Sequence, residues 1–230
     1  MSTKSNGIFI TGTDTGVGKT YVARGIARTL TRDRIDVGVM KPAETGCRWR
    51  SGQLMPSDTI SLMNATGVRD SLDLVNPYRF SKPLAPSVAA ELAGKYVDPA
   101  RIIASFLKIS KRHDFMIVEG AGGIMVPLSG KYLYLDLAAA LCLPVVIVAR
   151  PGLGTINHTL LTISALKKRR LRIAGVVMNY AKDWKKGLAE KTSMSVIEEL
   201  SGERLLGIVR YGSDDFDEIV DAISYKGPCF

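Results

Sequence analysis

The sequence predicts a single α/β domain built on a mostly parallel β-sheet with helices on both faces. Three observations predict this fold class. Short runs rich in Ile and Val alternate with amphipathic helical stretches along the chain. These runs are apolar nearly throughout, which is typical of strands that are covered on both faces. Glycines and polar residues cluster directly after the runs, where ligands bind in sheets of this kind.

The predicted strands and helices alternate, which gives right-handed crossovers between parallel strands. The predicted strands are Gly7–Thr11, Asp36–Lys41, Phe115–Glu119, Val145–Ala149, Ile173–Asn179 and Leu205–Val209. The predicted helices are Gly18–Thr31, Ser57–Ala65, Pro99–Lys111, Leu133–Leu141, Thr155–Arg170 and Lys185–Leu200. Prolines interrupt the segment Leu72–Tyr96, which is predicted to be the least regular part of the chain and an ordered excursion over one face of the domain. The segment after Tyr211 carries no recognisable signal.

Length and composition favour one globular domain. The chain has 230 residues, of which 46% are hydrophobic, and no linker rich in Pro, Gly or Ser divides it, so residues 1–230 are expected to form one domain. The polar N-terminus is unlike a signal peptide, and a charged residue and a proline interrupt the longest apolar region. Cys47, Cys142 and Cys229 lack the spacing of a metal site or a redox pair. We therefore expect a soluble, cytoplasmic protein with reduced thiols.

The net charge of +9 does not by itself identify a partner. The one dense basic run, Lys167–Arg170, closes a predicted helix, where cations interact favourably with the helix dipole. A positive field also attracts nucleotides and carboxylates. The chain shows no basic face interspersed with aromatic residues and no amphipathic terminal helix, so we expect neither nucleic acid nor a membrane as partner.

A glycine-rich segment follows the first predicted strand and leads into a helix. It reads Thr11-Gly12-Thr13-Asp14-Thr15-Gly16-Val17-Gly18-Lys19-Thr20. Glycines let backbone N–H groups surround a phosphate, while a lysine and a hydroxyl reach the terminal phosphate and its Mg²⁺. The segment therefore predicts a P-loop NTPase fold that binds ATP and Mg²⁺, although the strict pattern has glycine where this chain has Thr13. A glycine turn without a ligand is the alternative interpretation.

Within this loop, Lys19 is predicted to neutralise the β- and γ-phosphates and Thr20 to give an oxygen to Mg²⁺. Mg²⁺ then needs one or two carboxylates from elsewhere. Glu119 ends a buried apolar strand, at the position of a Walker-B acid, and a charge there would be costly without a partner. Asp58 follows Ser57, and two interpretations stay open for it, a metal ligand or a cap of the next helix.

Lys41 ends the second predicted strand and precedes Pro42, which disfavours a helix at this position. Its side chain is therefore expected to project near the phosphate loop. An ordinary lysine at a strand end fits the same pattern.

Five segments, in order, make the chain similar to the dethiobiotin synthetase family from about residue 7 to about residue 210. They are the glycine-rich loop, Lys41–Gly46, Asn76–Tyr78 with the prolines after it, Glu119–Gly123 and Gly154–His158. The resemblance implies a homodimeric ligase of biotin biosynthesis that converts ATP, CO₂ and 7,8-diaminopelargonate into dethiobiotin, ADP and phosphate. In such a reaction one amine takes up CO₂ as a carbamate, the carbamate attacks the γ-phosphate, and the second amine closes the ureido ring.

The resemblance also implies roles for individual residues. Lys19 and Lys41 would be the catalytic cations, which hold one anion against another. The implied metal ligands are Thr20, Asp58 and Glu119. The implied substrate contacts are Thr15, Lys41, Thr45, Gly122, Gly123 and Asn157, of which the last would reach across the dimer to the substrate carboxylate. The nucleotide would contact Thr13 to Thr20 and, at the adenine, Asn179.

Simpler interpretations remain for several of these positions. The hydroxyls of Thr15 and Thr45 can cap local backbone, and the glycines after Glu119 can form a tight turn. Asn179 can be a turn residue, and His158 is assigned no catalytic role. The chain also departs from the family at Gly16, where some members carry an acid. A second departure is Val209-Arg210, where the family has Ile-Pro beside the base, so the base preference stays open.

Three alternatives bear on the function. A partitioning or division-site ATPase of the same fold carries a lysine early in its phosphate loop, where this chain has Asp14 and Thr15. A cobyrinic acid diamide-forming amidotransferase needs a glutaminase domain, for which 230 residues leave no room. A related ligase that acts on a different diamine or amino acid fits the same residues and stays open.

Overall fold

The computed structural model describes residues 6–181 and 187–224 of the chain. Its strands are β1 (Gly7–Gly12), β2 (Val37–Met40), β3 (Ala43–Glu44), β4 (Arg48–Arg50), β5 (Gln53–Met55), β6 (Tyr78–Arg79), β7 (Phe115–Gly123), β8 (Pro127–Ser129), β9 (Tyr132–Leu133), β10 (Val145–Ala149), β11 (Ile173–Asn179) and β12 (Leu205–Val209). Its helices are α1 (Lys19–Arg32), α2 (Ser57–Thr66), α3 (Leu72–Val75), α4 (Pro86–Leu92), α5 (Pro99–Ser110), α6 (Tyr134–Leu141), α7 (Thr155–Lys168), α8 (Leu188–Ser201) and α9 (Asp217–Ser224).

Six strands form one parallel sheet in the order β12-β11-β10-β1-β7-β2. Strands β1, β10 and β11 are buried along their whole length, as expected for strands that helices cover on both faces. The first strand is central, and its carboxyl end leads directly into the glycine-rich loop and α1. The fold class predicted from the alternation of apolar runs and helices is confirmed.

The register of the sheet brings residues that are far apart in sequence to one edge. Ile10 of β1 lies opposite Glu119 of β7. Met40 of β2 lies opposite Val118 on the other side of β7. Lys41, the residue after β2, therefore comes beside Glu119 at the carboxyl edge of the sheet, next to the glycine-rich loop.

The predicted elements agree with the structure in most of their bounds. Strands β10, β11 and β12 have the predicted bounds, and the predicted helix ends that fall on described residues differ by at most two residues. Strand β7 runs four residues beyond the predicted end, because Gly123 pairs with Gly12 at the start of the glycine-rich loop. The predicted helix start at Lys185 lies outside the described residues, and α8 is described from Leu188.

The segment Leu72–Tyr96 is ordered, as predicted, but it is more regular than predicted, since it contains α3, α4 and β6. Strand β6 pairs in parallel with β3, so the segment is tied to the chain that follows Lys41. Pro86 occupies the first turn of α4, where its fixed φ favours a helix. Prolines in a sequence favour an irregular chain, although one of these prolines starts a helix.

The segment after Tyr211 also has a structure that the sequence did not predict. Phe216 is buried and packs against Tyr21 of α1. Gly25 of α1 leaves the room for this ring, because a Cβ there would lie 2.1 Å from a ring carbon of Phe216. Tyr21 donates a hydrogen bond to the backbone carbonyl of Ser213. Helix α9 thus closes one side of the domain over α1.

The expectations about membrane spans and about the cysteines can be compared with the described residues only. Within the described ranges, no helix is long and apolar enough to cross a membrane. Cys47 is a buried free thiol and Cys142 an exposed one, while Cys229 lies outside the described residues.

Candidate active site

The glycine-rich loop between β1 and α1 has the conformation of a phosphate-binding loop. Gly16 and Gly18 adopt φ values of 75° and 87°, in the left-handed region that glycine tolerates without strain. Lys19 folds back over the loop and donates a hydrogen bond to the backbone carbonyl of Asp14 at 3.2 Å. Since α1 starts at Lys19, the free N–H groups of its first turn and its dipole face the same space.

Gly12 accounts for the one departure of this loop from the strict pattern. A Cβ at Gly12 would lie 2.9 Å from Nζ of Lys19 and 2.8 Å from the backbone oxygen of Asp14. Glycine at this position therefore lets the lysine fold back, one residue earlier than the strict pattern places its first glycine. Thr13 instead donates its backbone N–H to Val148 of β10 and fixes the start of the loop to the sheet.

A buried cluster of charges lies beside the loop. Nζ of Lys41 lies 2.6 Å from Oε1 of Glu119 and 2.8 Å from Oδ2 of Asp58. The Thr20 hydroxyl donates to the same Glu119 oxygen at 2.7 Å. Lys41 and Glu119 are fully buried, whereas the Asp58 side chain is 44% exposed and faces the cavity. The structure thus brings together all three predicted metal ligands and one of the two predicted catalytic cations.

The two lysines differ in their electrostatic surroundings. Burial lowers the pKa of Lys19 to about 8, an effect that Glu119 partly offsets and the ammonium of Lys41 strengthens. Burial would also lower the pKa of Lys41, but the carboxylates of Glu119 and Asp58 outweigh it and raise the pKa above its usual value. Lys41 is therefore a permanent, paired cation, while Lys19 is a desolvated cation that lacks a carboxylate partner among its described contacts. An anion from outside the protein would supply that partner.

The donor set beside the loop fits a magnesium ion. Oε2 of Glu119 is buried and has no hydrogen-bond partner within the described part of the chain, so one carboxylate oxygen is available to a further ligand. The Asp58 carboxylate and the Thr20 hydroxyl are the other oxygens nearby. Mg²⁺ prefers a small number of protein oxygens together with phosphate and water. This donor set has two carboxylates, so phosphate and water would have to complete it. Among the described residues, no group of three His, Cys, Asp or Glu side chains is arranged to hold a metal ion by itself.

A cavity of about 580 Å³ joins these residues into one site. Its lining includes ten of the residues predicted from the sequence, namely Thr15, Gly16, Gly18, Lys19, Thr20, Lys41, Thr45, Asp58, Glu119 and Gly122. Pro83, Leu84, Ala85 and Pro86 also line the cavity and form an apolar part of its wall. The cavity can therefore hold a polyanion at the loop and an aliphatic group at these residues.

Comparisons with known proteins agree with this geometry. The model of a family described as an AAA domain matches residues 6–214. The ATP-dependent dethiobiotin synthetase BioD of Thermodesulfovibrio yellowstonii is 44% identical over 212 residues, which cover 89% of this chain and 88% of that protein. The protein of the same name from Bacillus licheniformis is 46% identical, and the two chains are covered to 88% and 84%. This chain belongs to the dethiobiotin synthetase family.

The family fold extends to more distant proteins of known structure. A ParA family ATPase from Chlorobium tepidum superposes with a TM-score of 0.56 at 17% identity, covering 96% of this chain and 89% of the other. A chain of the MinC:MinD cell division complex from Aquifex aeolicus superposes with a TM-score of 0.58 at 19% identity, covering 94% and 86%. At this level of identity the likeness concerns the fold alone.

Six residues predicted from the dethiobiotin synthetase pattern are absent from the cavity lining, namely Thr13, Asp14, Val17, Gly123, Asn157 and Asn179. Asn179 is buried at the end of β11, where its side-chain amide donates to the backbone carbonyl of Val17 at 2.8 Å. It packs so closely on Gly18 that a Cβ there would lie 2.0 Å from the amide nitrogen. Asn179 therefore supports the phosphate loop. Asn157 lies on the exposed surface of the first turn of α7, away from the residues that line the cavity.

Three further residues, which were not predicted from the sequence, shape the site of this dethiobiotin synthetase family member. Asn76 donates to the backbone carbonyl of Lys41 at 2.6 Å, and Lys41 donates its own N–H to the carbonyl of Val75. Glu44 accepts hydrogen bonds from the first turn of α2. Tyr134 is fully buried and shares the electrostatic environment of Lys41 and Glu119. Glu44 and Asn76 belong to segments that carry the family resemblance, which was the available signal.

Proposed function

We propose that the protein is an ATP-dependent dethiobiotin synthetase that uses CO₂ and 7,8-diaminopelargonate. The observation that carries this proposal is the pair of buried ammonium groups, Lys19 and Lys41, beside two carboxylates in one cavity at the phosphate loop. A carbamate that attacks a γ-phosphate brings one anion against another, so cations must hold the two groups in contact and absorb the developing charge. The identity of 44% to 46% with proteins named dethiobiotin synthetase supports the same activity.

The reaction balances with the groups at hand. One amine of the diamine adds to CO₂ and loses a proton, which gives a carbamate. A carbamate oxygen forms a bond to the γ-phosphorus while the bond to the ADP oxygen breaks. The second amine then attacks the carbamate carbon and loses a proton, and the phosphate leaves with the oxygen that had attacked it. The products are dethiobiotin, ADP and phosphate.

The two lysines act in different ways in this proposal. Lys19 lies over the phosphate loop and would take the β- and γ-phosphates as its charge partner. Lys41 donates two of its three N–H groups to Asp58 and Glu119, which leaves one N–H for an oxygen of the carbamate or the γ-phosphate. Mg²⁺, held by Thr20, Asp58 and Glu119, would screen the charge of the phosphates.

The diamine would lie between Lys41 and the apolar wall. Thr15, Thr45 and Gly122 line the cavity, and the amines and the carbamate would contact the two hydroxyls and the Gly122 backbone. The aliphatic chain would lie on Pro83 and Leu84. Gly122 cannot simply be replaced, because its φ is 66° and a Cβ there would lie 2.8 Å from the Val126 side chain.

The carboxylate of the substrate would be bound by a second copy of the chain. Asn157 is exposed at the N-terminus of α7, where free backbone N–H groups favour a carboxylate. Leu153, four residues earlier, is 90% exposed, which is unusual for leucine and suits an interface. We therefore propose a homodimer in which Asn157 of one subunit completes the site of the other.

A nucleotide-switched partitioning or division-site ATPase is the alternative with the same fold. Such proteins carry a lysine early in the phosphate loop, whereas Asp14 and Thr15 stand there in this chain. Asp14 accepts a hydrogen bond from the backbone N–H of Thr15, so its side chain serves the loop itself. The likeness to the ParA and MinD structures concerns the fold and does not favour this alternative.

The proposal is tested by phosphate release from ATP in the presence of Mg²⁺ and bicarbonate, with and without 7,8-diaminopelargonate. Strong dependence on the diamine, together with a product of the mass of dethiobiotin, supports the ligase. Parallel reactions contain duplex DNA or anionic phospholipid vesicles in place of the diamine. Stimulation by either of these, and none by the diamine, would contradict the proposal.

A further inference from the structure

Helix α2 carries Asp58 in its first turn but has no cap of its own. The residue at its N-cap is Pro56, whose side chain cannot accept a hydrogen bond. The first N–H groups of a helix have no partner within the helix, and burying them unpaired would be costly. An acceptor from another part of the chain is therefore needed at this point.

Glu44 provides that acceptor from strand β3. Its Oε1 accepts the backbone N–H of Asp58 at 3.0 Å, and its Oε2 accepts the backbone N–H of Thr59 at 2.9 Å. The Thr59 hydroxyl donates to Oε2 as well, at 2.7 Å. Glu44 is 4% exposed and Thr59 is fully buried, so water does not compete for these hydrogen bonds. A negative charge at the N-terminus of a helix is also favoured by the helix dipole.

These contacts hold Asp58 from two sides. Its backbone N–H is bound to Glu44, while its carboxylate lies 2.8 Å from Nζ of Lys41. Both partners belong to the short segment between residues 41 and 44, which is anchored to β6 by the pairing of Ala43 with Tyr78. The position of the Asp58 carboxylate relative to Lys41 and Glu119 thus depends on one short segment that is paired with β6.

We propose that Glu44 is a positioning residue that aims the Asp58 carboxylate at the metal position and thereby sets the affinity of the site for Mg²⁺. The inference rests on the proposed role of Asp58 as a metal ligand. An ionised carboxylate suits the task because it accepts hydrogen bonds on both oxygens and donates none. Residues that orient metal ligands through hydrogen bonds typically change metal affinity 10-fold to 100-fold when they are replaced.

The test compares Glu44→Ala and Glu44→Gln with Thr59→Val as the matched control. Thr59→Val removes one hydrogen bond to the same carboxylate and leaves both backbone N–H contacts in place. Mg²⁺ is titrated calorimetrically into protein saturated with a non-hydrolysable ATP analogue, and the Mg²⁺ dependence of kcat and KM is measured separately. Hydrogen exchange of the amides of residues 58 and 59 reports on the cap, and the melting temperature reports on stability.

We expect Glu44→Ala to weaken Mg²⁺ binding by at least about 10-fold and to speed exchange at both amides. Glu44→Gln keeps one acceptor oxygen and should give an intermediate value, so it provides the measurement if the alanine variant does not fold. Thr59→Val should lower the melting temperature while its Mg²⁺ affinity stays within about twofold of the wild-type value. The inference is overturned if the Glu44 variants weaken Mg²⁺ binding no more than Thr59→Val does.

Asp58→Asn separates this inference from the proposal on which it rests. If Asp58→Asn leaves Mg²⁺ affinity unchanged, Asp58 is not a metal ligand, and the positioning role of Glu44 fails with it. If Asp58→Asn weakens Mg²⁺ binding and the Glu44 variants do not, the metal site stands and only the positioning role is wrong.

Discussion

Lys41 and Glu119 form the most deeply buried ion pair among the described residues, with 2.6 Å between Nζ and Oε1 and side-chain exposures of 4% and 1%. The pair bridges two neighbouring strands, because Lys41 follows β2 and Glu119 lies within β7. Two charges taken out of water in this way depend on each other. We therefore expect the pair to contribute both to the stability of the protein and to turnover, and mutations can separate the two contributions.

Replacing Lys41 with methionine should destabilise the protein by about 3–5 kcal/mol, since Glu119 is then left buried without a cation. Adding Glu119→Gln should recover most of this loss, because the second change removes the uncompensated charge. Urea unfolding of the wild type, both single variants and the double variant gives the coupling energy. We expect neither Lys41 variant to turn over substrate. A Lys41→Met protein as stable as the wild type would contradict the pairing.

Lys19→Met should behave differently from Lys41→Met. Among the described residues the Lys19 ammonium contacts only the backbone carbonyl of Asp14, and burial lowers its pKa to about 8, so its loss should leave the melting temperature unchanged or higher. Turnover should fall by about 10²–10³-fold, as is typical when a group that stabilises developing charge is removed. Steady-state kinetics and thermal unfolding of the two variants check the contrast. A large loss of stability in Lys19→Met would contradict the account.

Mixing two inactive proteins should restore activity if Asn157 acts across the dimer. An equal mixture of Lys19→Met and Asn157→Ala subunits forms dimers in which one site has both an intact Lys19 and an intact Asn157. Random exchange of subunits then gives about a quarter of the wild-type activity. The control is a mixture of Lys19→Met with Lys41→Met, which restores none because both residues belong to the same subunit's site. If the first mixture also stays inactive, Asn157 does not complete the partner's site.

His113 should make the free energy of unfolding depend on pH, although it does not contact the candidate active site. Its ring lies 2.7 Å from both Asp36 and Asp70, at the opposite end of β2 and β7 from Lys41. Burial alone would lower the pKa of His113, but the hydrogen bonds to both aspartates outweigh it and raise the pKa above 6.5. The folded protein thus binds this proton more tightly than the unfolded chain, so the stabilisation is complete below about pH 6.5 and is lost as the pH rises through the folded-state pKa.

The measurement is urea unfolding of the wild type and of His113→Gln between pH 6 and pH 9. We expect the free energy of unfolding of the wild type to decrease over this range and that of the variant to change less. Equal slopes for the two proteins would show that the decrease comes from other groups.

The sequence predicted the central sheet because its strands are continuous apolar runs, a pattern that does not depend on distant residues. It predicted Lys19, Thr20 and Glu119 for a related reason, since the glycine-rich loop and the acid after a buried strand are local signals. The pairing of Lys41 with Glu119 depends on the register of β2 against β7, which no local pattern reveals. The role of Glu44 as the cap of α2 likewise appears only when β3 and α2 are brought together.

The short elements escaped prediction for a different reason. Strands β3 and β6 have two residues each, and helix α3 has four, which is too short for a period to be recognised. Helix α9 is amphipathic, so the expectation of no amphipathic helix near the end of the sequence was wrong. The position of α9 depends on Phe216, which fits only because Gly25 has no side chain. Such elements form through contacts with the rest of the domain.

We infer that a carbamate oxygen attacks the γ-phosphate between Lys19 and Lys41. This attack can be followed by the transfer of ¹⁸O from labelled CO₂, in a single turnover short enough to limit exchange of the label with water. We expect one ¹⁸O atom in the released phosphate and one in the ureido carbonyl of the product. Phosphate that carries oxygen from water and no label from CO₂ would mean that the protein hydrolyses ATP without carbamate attack, and would contradict the account.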